Sequence, residues 1–171
     1  MKQEKNVWVG AVLVAWVLSG PASVAGDSPG AAVDRFFGAY RDASLERMLA
    51  SYAPNAVFED VNQRHHFEGT EQLEQLLSQL VAMHHRMDVR EKRRVVDGNT
   101  VVVEYDYVGK LNGAVLGQIV GKEGCPDLEY VLPTTSWYEI EDGKIVHQRD
   151  FVDWATLLEL REQMLAAGSE N

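Results

Sequence analysis

The sequence predicts an α+β fold in which helices from the first half of the chain cover one face of a curved antiparallel sheet. Three observations predict it. Apolar residues recur at helical spacing in three segments before residue 83, alternate with polar residues in four longer segments after residue 85, and return to helical spacing at the end. Helices packed on a sheet in this way leave a natural pocket between the two layers.

The first half contains the signals that begin and end helices. Ser28 and Pro29 provide a cap and a first-turn proline, Ser44 begins a second short helix, and Thr70 is predicted to cap a third. Ala53-Pro54-Asn55 ends the second helix. The segments that follow it are predicted to be a short strand at 56–60 and a looser stretch at 61–68.

The second half is predicted to form four antiparallel strands, at about 86–96, 100–108, 128–140 and 145–152. A three-residue Asp97-Gly98-Asn99 loop is favoured for the first hairpin, because a two-residue loop would set Glu91 opposite Glu104. The favoured loop instead sets Lys92 opposite Glu104 and Arg90 opposite Asp106.

Two further segments complete the domain. Glycines spaced by four predict a hairpin or bulged loop between the second and third long strands: Gly109, Gly113, Gly117 and Gly121. After the last strand, Asp153 is predicted to cap a closing helix that begins near Trp154.

Residues 1–25 predict an export signal. Lys2 and Lys5 form a basic head, an uncharged run at 7–18 follows, and Ser23-Val24-Ala25 matches the small-x-small pattern for cleavage before Gly26. The uncharged run is shorter than the roughly 20 residues that span a bilayer, so an uncleaved membrane anchor is the weaker alternative. The expected mature protein is a single domain, 26–171, in the periplasm or outside the cell.

Composition excludes several partners. A net charge of −10 argues against nucleic acid and, after cleavage of the signal, against anionic membranes, because both repel a negative surface. Cys125 is the only cysteine, so no intrachain disulfide can form. The adjacent pairs His65-His66 and His84-His85 point apart on a strand, and neither can chelate by itself, so neither a metal nor another cofactor is expected.

Asp150 is the first candidate for chemistry. Alternation places it in one row with Val146, Gln148 and Val152, and a carboxylate buried in such a row either pairs or changes its pKa. His147 falls on the opposite row, where a structural or oligomer contact is expected.

Glu104 and Asp106 share a strand face and form a second acidic group. If that face and the Asp150 row meet at one cavity, one carboxyl group keeps its proton and another stays charged, as an acid and a base require. Arg90 could then supply a positive group beside them. The alternative is a salt-bridged surface in which Lys92 pairs with Glu104 and Arg90 with Asp106.

The other row of this strand is too apolar for a solvated surface: Val101, Val103, Tyr105 and Tyr107. It is expected to pack against another layer or a second subunit. Trp137 and Tyr138 point to opposite faces of the next strand, so one of them is expected to line the pocket.

Four motifs together resemble the SnoaL-like branch of the nuclear-transport-factor-2-like superfamily. They are Phe36-Phe37 with Tyr40, Tyr52–Phe58, Glu68–Leu73 and Glu141–Val146, and the match covers 31–164. The resemblance implies a cone-shaped, cystatin-like α+β barrel with an interior pocket, often in a homodimer. It also places His85 where pocket-lining histidines occur in related proteins, as an acid/base or ligand contact.

One branch allows a residue-by-residue comparison. Arg149–Asp153 is similar to the segment of limonene-type epoxide hydrolases that carries the water-activating aspartate, which Asp150 matches. Asp106 matches the acid of that family, whereas Glu104 replaces its arginine. Phe58 and Asp60 stand where the family has a water-positioning tyrosine and asparagine. In the polyketide cyclases of the superfamily, an aspartate near the same closing strand is the general base.

The expected ligand is a small apolar organic molecule. The leading hypothesis is cofactor-free acid/base catalysis, with Asp150 and Asp106 as catalytic residues and Glu104, Arg90, His85, Phe58, Asp60 and Trp137 as substrate contacts. The alternatives are a binding module of the same fold without turnover and a dimeric accessory protein with a collapsed cavity.

Overall fold

The computed structural model describes residues 28–121, 123–156, 158–159 and 162. The predicted signal at 1–25 lies outside them. Among the described residues, no helix is both long and apolar enough to cross a membrane. The elements are α1 (Pro29–Arg41), α2 (Leu45–Leu49), β1 (Tyr52–Asp60), β2 (His65–Glu68), α3 (Gly69–Ala82), β3 (His84–Asp97), β4 (Thr100–Leu111), α4 (Gly113–Val120), β5 (Leu128–Glu141) and β6 (Lys144–Val152).

The six strands form one curved, open sheet in the order β2-β1-β6-β5-β4-β3. The predicted α+β class is confirmed. The pairs are antiparallel except for β1 and β6, which run parallel and bring Asp60 beside Asp150. Residues 154–156, 158–159 and 162 are helical, and Asp153 accepts from the backbone N–H groups of Ala155 and Thr156, as a cap does.

The inner face of the sheet, which we define as the face covered by α1, carries the apolar row of β4. Phe37 of α1 packs on Tyr105 with ring centroids 5.2 Å apart, and Tyr40 packs on Tyr107 at 5.1 Å. Tyr105 is fully buried. The second layer that this row was expected to require is therefore α1 of the same chain.

The glycine-rich segment was predicted to be a hairpin or bulged loop, and that prediction is wrong. It forms α4, which begins after Asn112 and ends at Gly121. The Asn112 side chain accepts from the N–H groups of Ala114 and Val115, and Gly121 has a φ of +71°, the left-handed conformation that commonly ends helices.

The β3–β4 hairpin combines two registers. Asp97 pairs with Thr100 across a two-residue turn, and a bulge between Glu91 and Arg93 then restores the predicted pairing of Arg90 with Asp106. Glu104 lies opposite Arg93 rather than Lys92.

Two smaller predictions also need correction. The stretch before α3 contains β2, which pairs with β1. Thr70 does not cap α3, because its hydroxyl donates to the carbonyl of Pro54 at 3.2 Å.

Candidate functional site

A cavity of about 550 Å³ lies between the inner face of the sheet and the helices. Its lining includes the aromatic residues Phe36, Tyr40, Tyr52, Phe58, Phe67, Tyr107, Tyr130 and Trp154. Leucines of α3 and α4 add aliphatic wall. Such a space is suited to an apolar organic molecule, and the few polar groups within it then decide its chemistry.

Asp150 lies on the wall of this cavity and is only 3% exposed. Its Oδ1 accepts from the Ser136 hydroxyl at 2.5 Å and from the Gln148 amide at 2.8 Å, and its Oδ2 accepts from the Tyr107 hydroxyl at 3.2 Å. All three donors are neutral. In the described chain no lysine or arginine forms an ion pair with Asp150.

A second set of hydroxyl groups fixes these donors. The Tyr52 hydroxyl donates to the Gln148 carbonyl oxygen at 2.5 Å, which leaves the amide N–H₂ directed at Asp150. The Tyr105 hydroxyl lies 2.7 Å from Ser136 Oγ. Because Ser136 gives its proton to Asp150, Tyr105 is the donor in that contact. The Asp150 carboxylate is therefore held in one orientation by Ser136 and Gln148, whose own orientations are fixed by Tyr105 and Tyr52.

Burial raises the pKa of Asp150 to about 6, against an ordinary aspartate value near 3.8. Removal of water is the largest cause, and the charge of Asp60 adds to it, while hydrogen bonds from Ser136, Gln148 and Tyr107 act in the opposite direction. A carboxyl group with this pKa is mostly ionised at neutral pH and is a stronger base than an exposed aspartate.

Asp60 also lines the cavity and is 7% exposed. Its Oδ1 accepts from the Trp154 indole N–H at 3.2 Å and from the backbone N–H of Gln63 at 3.0 Å. Phe58, two residues earlier on β1, lines the same space and packs on Phe67. The structure thus places both β1 candidates in the cavity with Asp150.

On another part of the wall, His84 takes the place expected for His85. Its Nδ1 donates to the Leu80 carbonyl at 2.6 Å, which leaves Nε2 to accept from the Tyr130 hydroxyl at 2.8 Å. Burial lowers the pKa of His84, so the ring is neutral. His84 and Tyr130 therefore form a neutral pair of imidazole and hydroxyl groups on this wall, and Tyr40 lines the cavity as well.

His84 was not predicted as a cavity residue because a bulge in β3 changes which histidine faces inward. Met87 and Val89 face inward, and strict alternation from them would carry His85 inward too. The pairing with β4 shifts between His84 and Arg86, which turns His84 inward instead. His85 is exposed, with Nε2 3.4 Å from the Asp127 carboxylate.

The second predicted acid lies outside the cavity. Tyr105 and Tyr107 occupy the inner positions of β4, so Glu104 and Asp106 point to the outer face of the sheet. Asp106 binds Lys92 there, with Nζ 2.5 Å from Oδ1. The prediction that Asp106 and Asp150 share a cavity is therefore wrong, because a shift of one residue along a strand reverses the face.

Two predicted substrate contacts also lie on the outer face. Arg90, the register partner of Asp106, is exposed, and Trp137 is 48% exposed. Tyr138, the neighbour of Trp137, is buried in the core but does not line the cavity, so the prediction that one of the two lines the pocket is wrong. Of the expected site residues, the cavity contains Asp150, Asp60 and Phe58. The lining residues that were not predicted include Tyr107, Tyr130 and His84.

The SnoaL-like domain profile matches residues 33–148, well over half of the chain. The chain belongs to the SnoaL-like domain family. None of the curated proteins matches it. Within the described ranges, no group of three or more histidine, cysteine, aspartate or glutamate side chains could hold a metal ion.

Solved structures agree with this SnoaL-like assignment at the level of fold. A protein assigned as a SnoaL-like polyketide cyclase from Shewanella denitrificans is 16% identical, with a TM-score of 0.70 over 79% of this chain and 97% of that one. TerC, co-crystallised with polyporic acid, is 17% identical, with a TM-score of 0.63 over 79% of this chain and 99% of TerC. An epoxide hydrolase of the LEH-like type from M. tuberculosis is 21% identical, with a TM-score of 0.58 over 81% of this chain and 92% of the hydrolase.

Proposed function

We propose that this SnoaL-like protein is a cofactor-free acid/base catalyst that moves a proton on a small apolar organic molecule, with Asp150 as the general base. The observation that carries the proposal is the environment of Asp150 and the pKa that results from it. It is a buried carboxylate with three neutral hydrogen-bond donors, at the wall of an aromatic cavity, and its pKa is raised to about 6.

The proposed step takes a proton from carbon next to a carbonyl group, or from water. In the first case the C–H electron pair becomes the double bond of an enolate, the proton goes to Asp150, and return of that proton to another carbon completes an isomerisation. Tyr107 and Tyr130 are the candidate donors to the oxyanion. Burial raises the pKa of both tyrosines, so both hydroxyl groups keep their protons and stabilise the oxyanion by hydrogen bonding.

A second function, binding without turnover, is favoured by a different observation. Asp106 lies outside the cavity, and each tyrosine hydroxyl named above already has a hydrogen-bond partner within the protein. A catalyst needs one of these donors to turn toward the substrate in the transition state, whereas a binding module does not.

A screen in D₂O separates these functions. The purified protein is incubated with cyclic ketones that have acidic C–H groups, and with aryl epoxides in ¹⁸O-water. We expect deuterium incorporation or ring opening, with kcat/KM rising as pH increases through about 6 and level above it, because the base must be ionised. Ligands that bind without exchange or ring opening at any pH would favour the binding module.

Export and pairing complete the proposal. Residues 1–25 support delivery to the periplasm or the cell exterior, and the exposed side chains Trp137 and Phe151 on the outer sheet face offer an apolar surface for a second copy. The homodimer remains a prediction.

A further inference from the structure

The charge of the cavity is the feature that the proposed catalysis leaves unexplained. Asp60 and Asp150 are register partners on adjacent strands, and both line the cavity. Among the described lining residues there is no lysine or arginine. The other titratable groups of the lining, apart from the tyrosines, are His84, which is neutral, and His65, which is exposed.

Asp60 is not used by the proposed step. Both of its donors, the Trp154 indole and the Gln63 backbone N–H, bind Oδ1, and no described residue donates to Oδ2. The residue is nevertheless only 7% exposed. Without such a donor Oδ2 keeps some accessible surface, and Asp60 lines the cavity. Two carboxyl groups side by side at that wall favour a positive partner.

Aromatic rings surround this negative end. Trp154 donates to Asp60 and lines the cavity together with Tyr107, Phe58 and Tyr52. The face of an aromatic ring is electron-rich and attracts organic cations, most strongly where water is excluded. Carboxylates and aromatic walls together therefore favour a positive ligand group and repel a negative one.

We infer that the cavity selects an apolar, ring-bearing organic amine in its protonated form, with the ammonium group bound at Asp60 beside Asp150 and the ring among the aromatic side chains. This inference rests on the proposal that the cavity is a ligand site, and it names the class of ligand. Neutral analogues fit the same walls less tightly. Analogues with a carboxylate at the position of the ammonium group bind most weakly, because Asp60 and Asp150 repel them.

Three probes that share a naphthalene ring test the inference: 2-(1-naphthyl)ethylamine, 2-(1-naphthyl)ethanol and the carboxylate 2-(1-naphthyl)acetate. Calorimetric titration at about pH 7.5 is expected to show the amine binding about tenfold tighter than the alcohol, and the carboxylate about tenfold weaker. Asp60→Asn is expected to remove most of the amine preference while the alcohol binds as before, which also shows that the variant is folded. Asp106→Asn, the same change on the outer face, is expected to leave the ranking intact.

A carboxylate probe that binds as tightly as the amine, an amine that does not bind, or an amine preference that survives Asp60→Asn would each overturn the inference. The proposed catalysis fails differently. Absence of proton exchange with the ranking preserved would refute the catalyst and leave the amine site, whereas exchange on a carboxylate ligand would refute the amine site and leave the catalyst.

Discussion

Asp150→Asn is expected to lower kcat/KM for the proton-transfer reaction by about 10³-fold, because general-base catalysis by a positioned carboxylate contributes on that order. The substitution should leave the fold intact. The asparagine carbonyl can accept from Ser136 and Gln148 as the carboxylate does, and its N–H₂ group can donate to the Tyr107 oxygen. Steady-state kinetics on the substrate found in the D₂O screen, with ligand binding measured in parallel, test this expectation.

Asp106→Asn is the matched control for that experiment. It makes the same chemical change on the same sheet, but on the outer face and against Lys92. Its kcat/KM should stay within about twofold of the wild-type value, since Asp106 does not line the cavity. An Asp150→Asn enzyme that keeps more than about a tenth of wild-type activity would remove Asp150 from the role of base.

Gly113→Ala is expected to produce the largest loss of stability, about 3 kcal/mol or more. A Cβ atom at Gly113 would lie 2.2 Å from the Cys125 carbonyl oxygen and 2.4 Å from the Pro126 carbonyl carbon. Both are backbone atoms, so the strain cannot be relieved by rotating a side chain. The start of α4 would have to move, and with it Leu116, which lines the cavity.

Gly121→Ala, at the other end of α4, separates steric overlap from backbone strain. Gly121 has a φ of +71° and no atom within 4 Å of a Cβ position, so alanine there should cost only about 1 kcal/mol. Urea unfolding of the two variants provides the comparison. Equal losses would show that the close approach at Gly113 is not the reason for the glycine.

The architecture was predictable because its signals are local and agree with one another. The helical stripes and the alternating strands each indicate one kind of element, and together they specify the α+β fold. Asp150 was predictable for the same reason, since alternation from Gln148 to Val152 keeps it in one buried row. The predicted row was wrong at its start, where a bulge between Ile145 and His147 buries Ile145 in place of Val146.

The positions of Asp106 and His84 depend on which face of a strand points inward, and a single residue reverses that choice. On β4 the apolar row from Val101 to Tyr107 was the better guide, because the inner face must pack against α1. On β3 the bulge near His85 turns His84 rather than His85 toward the inner face. No local sequence motif indicates that bulge. Gly113 is a glycine because the backbone of residues twelve and thirteen positions later passes close to it. The regular spacing of the glycines does not distinguish this close approach from a turn.

The titration of Asp150 itself tests the central claim most directly. With ¹³C-labelled aspartate, the Asp150 carboxyl resonance can be identified by its absence from the spectrum of Asp150→Asn and followed with pH. A buried base at the cavity wall predicts a midpoint at about 6. A midpoint at about 4 or below, the ordinary aspartate range, would contradict it.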